Sequence, residues 1–139
     1  MSSQLSWGFK VQVGSFFEID KVAYREGRLV LPTTHRKYHN VRVLDQETFK
    51  WLSSCKEQKI CHQSISEMSV EVEKISSVKS RSGMWVADVS FARKWLITFL
   101  LFKNEKGYTL QVPKVIKFLD SRLQAQVLSA LETELEKER

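Results

Sequence analysis

The chain of 139 residues reads as an α+β protein, an antiparallel β-sheet (or sheets) with a helix after each half, possibly as two ββββα repeats. Three features predict this. Trp85, Ala87, Val89 and Phe91 alternate with smaller or polar residues, and Trp95, Ile97, Phe99 and Leu101 repeat that spacing after Ala92-Arg93-Lys94, which is the period of a strand. Turn clusters follow such runs: Arg25-Glu26-Gly27-Arg28 and Asn104-Glu105-Lys106-Gly107 each place a glycine where a tight hairpin needs positive φ. Beyond Pro113, which suits a first helical turn, Val115, Ile116, Leu119, Leu123, Val127, Leu128 and Leu131 recur at three- and four-residue spacing, predicting an amphipathic helix.

Taken in order, Trp7, Phe9, Val11 and Val13 alternate against Gly8, Lys10 and Gln12, a strand with one wet face. After Gly14-Ser15 a second strand is expected through Tyr24, with Phe17, Ile19 and Ala23 on one side and Glu18, Asp20 and Tyr24 on the other. Leu29-Val30-Leu31 returns as a third until Pro32 ends it. Residues 33–40 are polar and basic, and Val41-Arg42-Val43-Leu44 is again strand-like. Asp45 then stands as an N-cap before an acidic first turn, with Phe49, Leu52 and Trp51 facing the sheet. A linker is expected over 59–68. Val70, Val72, Ile75 and Val78 restart the strand pattern, with a slip between Val72 and Ile75 that suggests a bulge. Tyr108-Thr109-Leu110-Gln111-Val112 closes the strands.

One domain over 1–139 thus admits two pseudo-repeats, 7–58 and 69–135, each with strands, a turn carrying Arg and Gly, and a short strand leading into a helix. A single α+β domain without internal symmetry fits the same segments. Phe91, Trp95, Phe99 and Phe102 also sit at helix spacing, although the β-branched and aromatic content and the turn at 104–107 favour strand.

An apolar content of 42% with 11% aromatics is that of a folded chain, and no apolar run is long enough for a membrane-spanning helix. The opening MSSQLSWGFKVQV lacks a charged leader followed by an apolar block, so no secretion signal and no membrane partner are expected. Cys55 and Cys61, read as free thiols, point to an intracellular, reducing compartment in the cytoplasm or nucleus. The net charge is +6; residues 132–139 carry −2, which leaves +8 on residues 1–131. A body so basic attracts polyanions, of which nucleic acid is the commonest inside cells.

The segments VRVLDQETFKWL and YTLQVPKVIKFLDSRL, a strand running into a helix at the end of each half, resemble the repeat of the PUR (purine-rich-element-binding), Whirly and transcriptional-positive-cofactor group of single-strand nucleic-acid binders. That resemblance implies the fold, a preference for single strands and a tendency to form homo-oligomers. It assigns no contact residues.

Single-strand binders join cations to aromatics on which bases stack. Candidates for nucleic-acid binding are Trp7, Tyr24, Arg25, Arg28, Arg36, Lys37, Tyr38, Arg42, Lys79, Arg81, Trp85, Arg93 and Lys94. Basic turn residues are more often simply solvated, and alternating aromatics more often core. Leu123, Val127, Leu128 and Leu131 form a stripe longer than a small sheet covers, a candidate interface with a second copy or a protein partner, and hence the alternative reading as an adaptor. His35, His39, Cys55 and Cys61 lack the close cysteine spacing of a zinc site. With no nucleophile elbow, phosphate loop or clustered carboxylates, neither enzyme activity nor a cofactor is expected.

Overall fold

The alternation in residues 7–13 does what its period dictates: Phe9, Val11 and Val13 are buried, and Gly8 points to solvent. A computed structural model describes residues 6–32, 41–55 and 58–137 and shows the expected α+β class. In chain order the elements are β1 (Ser6–Val13), β2 (Phe17–Arg25), β3 (Arg28–Val30), β4 (Val41–Val43), α1 (Gln46–Ser53), β5 (Ile60–Gln63), β6 (Val70–Ser77), β7 (Met84–Phe91), β8 (Trp95–Asn104), β9 (Gly107–Gln111), β10 (Ile116–Phe118) and α2 (Ser121–Lys137).

Two five-stranded sheets result. The first runs β5-β1-β2, with β3 and β10 both paired to β2; the second runs β6-β7-β8, with β4 and β9 both paired to β8. All pairs are antiparallel except β1 with β5. Each half lends its last strand, the one before its helix, to the other. In β4, Val41 and Val43 lie opposite Ile97 and Trp95 at the start of β8, and in β10, Ile116 and Phe118 lie opposite Ile19 and Phe17 at the start of β2. The residues that follow dock alike: the Leu44 N–H donates to the Lys94 carbonyl at 2.8 Å and the Leu119 N–H to the Phe16 carbonyl at 2.9 Å. An aspartate then leads into a helix in both halves, Asp45 capping α1 through the Thr48 N–H and Asp120 accepting from the Arg122 N–H.

The inner faces of the sheets meet in one core. Phe17 and Phe91 lie 5.2 Å apart between ring centres, and Phe118 stacks on Phe99 at 6.2 Å. Trp95 is fully buried, and its Nε1–H donates to Gln63 Oε1 at 2.8 Å. The Gln63 amide in turn donates to Thr48 Oγ1, so α1, β5 and β8 are tied by one buried polar chain.

Several expectations are corrected. The final helix begins at Ser121, not after Pro113: Ile116-Lys117-Phe118 has strand alternation as well as helix-like spacing, and pairing with β2 decides between them. The expected linker over 59–68 contains β5. In β2 a register shift at Asp20 and Lys21, where Lys21 has φ +61°, turns Val22 and Tyr24 inward and Ala23 outward. Phe49 is 51% exposed, because Thr48 and Leu52 occupy the buried side of α1. Cys55 and Cys61 are joined in a disulfide, since the reversal after α1 brings their Cα atoms within 5.6 Å, so the argument from free thiols to a reducing compartment falls away. The α2 stripe is no spare surface either. Leu123, Val127, Leu131 and Leu135 are buried in the core between β6, β9 and β10, and Leu128 is half-buried. Two sheets cover what one could not. No helix among the described residues is long and apolar enough to cross a membrane. The slip expected in the strand after Ser69 is present, between Val72 and Lys74.

Candidate nucleic-acid interface

The outer face of the first sheet is built by the residues that alternate away from the core. Register sets them in rows. His62, Gln12, Glu18 and Lys117 lie side by side across β5, β1, β2 and β10; Lys10 lies beside Ile60; Gly8 and Ala23 form a low central strip, with exposed Val30 at its β3 end; Arg25 and Arg28 close the far end. These rows hold Lys10, Lys117, Arg25 and Arg28 against one carboxylate, Glu18, while the bulge adds Asp20 and Lys21.

Glu18 sits between two lysines. Lys10 Nζ lies 3.6 Å from its carboxylate, and Lys117 is its cross-strand neighbour. At the far end Arg25 and Arg28 are directly opposed across β2 and β3, held there by a tight turn in which Glu26 and Gly27 have φ of +53° and +78°. Like charges directly opposite one another destabilise an antiparallel pair. An anion lying across them would remove that cost. The small residues Gly8 and Ala23 leave the space between the two cationic ends low, so an extended polyanion can approach the sheet along its whole length.

Other sequence-predicted site residues are dispersed. Arg42 is exposed on β4 of the second sheet. Lys79 and Arg81 lie in the turn before β7, whereas Arg93 and Lys94 lie in the turn after it, at the opposite end of that strand. Arg93 faces Glu71 at 3.5 Å, and Lys94 faces Asp45 at 3.2 Å. Burial alone would raise the Asp45 carboxyl, but hydrogen bonds from Thr48 and Lys94 and the Lys94 charge outweigh it and hold Asp45 below the ordinary aspartate value.

The aromatic candidates turn inward. Tyr24 is buried with its ring stacked on Phe9, and Trp85 packs edge-on against Tyr108 at 5.8 Å on the inner side of the second sheet. Trp7 is half-buried, packed against the core from the cross-strand position beside Tyr24. Arg36, Lys37 and Tyr38 lie outside the described residues, as do His35 and His39. Among the described residues no three His, Cys, Asp or Glu side chains are grouped to hold a metal ion.

Of the predicted cations among the described residues, only Arg25 and Arg28 belong to the first sheet's outer face. Lys10 and Lys117 escaped sequence reasoning because they are far apart in the chain and meet only through β2. Their signal was present: each is the wet residue between two apolar ones, in Phe9-Lys10-Val11 and Ile116-Lys117-Phe118. Comparison with known proteins finds no matching family model, no matching curated protein and no matching solved structure.

Proposed function

We propose that this is a non-enzymatic nucleic-acid-binding protein that lays single-stranded DNA or RNA by its phosphate backbone across the outer face of the first sheet. What carries the reading is one observation: Lys10, Lys21, Lys117, Arg25 and Arg28 gather on that face and its turn with three carboxylates, Glu18, Asp20 and Glu26, so positive charge is in excess there. Cations held on a sheet form a surface of fixed charge, and nucleic acid is the polyanion such a surface meets most often. Because Tyr24 and Trp85 are turned into the core, phosphate contacts carry the binding, with little discrimination among bases. The interaction is therefore electrostatic before it is anything else.

Titration of a short fluorescent single-stranded oligonucleotide over a salt series tests this. Four phosphate contacts give a slope of log K against log salt of about −3 for a single strand. Replacing Lys10 and Lys117 together by glutamine halves that slope. Absence of binding at low salt, or binding whose strength ignores salt, contradicts the reading. A duplex competitor of the same length is expected to compete more weakly, since the low strip at Gly8 and Ala23 suits one narrow strand.

A further inference from the structure

His62 begins the outer row that Gln12, Glu18 and Lys117 continue across β1, β2 and β10. Its place is fixed from behind. The residues on either side of it in β5 point inward and are tied there, Cys61 by its bridge to Cys55 and Gln63 by hydrogen bonds with Trp95 and Thr48, so the imidazole is left exposed on the outer face. Among the described residues, the groups around it are Gln12 beside it and Lys10 two residues along on β1, Lys59 just before β5, and Glu18 one strand further, itself 3.6 Å from Lys10. Its ladder neighbour is thus an amide and not a carboxylate.

Histidine is the side chain whose ordinary charge change falls between about pH 5 and 8. With the imidazole neutral, the row carries Glu18 and Lys117, which cancel; with it charged, the row has one positive charge in excess. Over the face and its turn, five cations against three carboxylates leave an excess of two, and a charged His62 makes it three. One proton therefore changes the net charge of the face by half.

We propose that His62 is a further polyanion-contacting residue of this face, one that engages phosphate only when its imidazole is charged, so that single-stranded DNA or RNA binds more tightly as the medium turns mildly acidic. The inference rests on the reading of this face as the polyanion site. His62 and Lys117 stand at the two ends of one row, about 14 Å apart across three strand spacings, and phosphates laid along it meet a cation at either end. Because phosphate favours the charged imidazole, proton and oligonucleotide each strengthen the binding of the other, and formation of the complex takes up protons as pH approaches the imidazole range from above.

Titration of a short fluorescent single strand into the full chain at pH 7.5 and at pH 5.5, at the same low salt, tests the inference. The unaltered protein is expected to bind roughly fivefold more tightly at the lower pH, the effect of one added contact between unit charges in a watery medium. Its slope of log K against log salt is expected to steepen by about 0.7. His62→Gln is expected to flatten the pH response, and His62→Lys to bind at pH 7.5 as tightly as the unaltered protein does at pH 5.5. Both changes fall at an exposed position of an edge strand, and circular dichroism is expected to be unchanged in each. Because His35 and His39 belong to the same chain, the deciding comparison is between His62→Gln and the unaltered protein at each pH. An affinity that does not rise at pH 5.5, or a rise undiminished in His62→Gln, overturns the inference and leaves the polyanion site standing; absence of binding at both pH values overturns the two together.

Discussion

The Asp45 carboxylate caps α1 through the Thr48 N–H and holds Lys94 at 3.2 Å, joining a helix of the first half to a turn of the second. Because its pKa in the folded protein lies below the unfolded value, the stability it contributes is present above the ordinary carboxylate range and is lost as pH falls through the folded value. Asp45→Ala should cost about 1 kcal/mol at neutral pH and flatten the acid limb of a stability-versus-pH curve measured by urea unfolding. Gly14 is a second residue with a defined task. It adopts φ +52°, and an added Cβ would lie 2.7 Å from the Ile65 carbonyl oxygen, so Gly14→Ala should destabilise by about 1–3 kcal/mol in thermal unfolding. Arg28 works in the other direction. Relieving its opposition to Arg25 by Arg28→Gln should raise stability by a few tenths of a kcal/mol while lowering oligonucleotide affinity, the mark of a residue kept for binding.

Among the elements, β5 is the one whose attachment can be switched. It is a four-residue edge strand, parallel to β1 and anchored by the Cys55–Cys61 bridge and by Gln63 between Trp95 and Thr48. Reduction of the bridge should lower the urea unfolding free energy by about 2 kcal/mol, the loop-closure contribution of so short a loop, without abolishing folding. How far elements were legible followed from how local their signal is. β7, β8 and β9 are read directly, since alternation and a glycine turn settle them within a few residues. β10 was hidden because Val115, Ile116 and Leu119 satisfy helical spacing, and only the distant β2 chooses the strand. The repeated string in Val41-Arg42-Val43-Leu44-Asp45 and Ile116-Lys117-Phe118-Leu119-Asp120, apolar-basic-apolar-Leu-Asp, marks both crossing strands and offered a local signal for the second.

For the molecule as a whole, the exchange of β4 and β10 leaves one inner core and two outer faces of unlike character, one basic and one apolar. Composition showed the basic excess but not its location, because Lys10 and Lys117 are neighbours of Glu18 only after the first sheet is assembled. The aromatics misled for a related reason. Tyr24 stands on the polar side of an uninterrupted alternation, and the bulge at Asp20 and Lys21 reverses it. The central claim is that a polyanion lies on the first sheet's outer face, and amide chemical-shift mapping with a short single-stranded oligonucleotide tests it most directly. The account predicts that the largest shifts fall on Gly8, Lys10, Gln12, Ala23, Arg25, Arg28 and Lys117; shifts confined to the second sheet and the turns flanking β7 would contradict it.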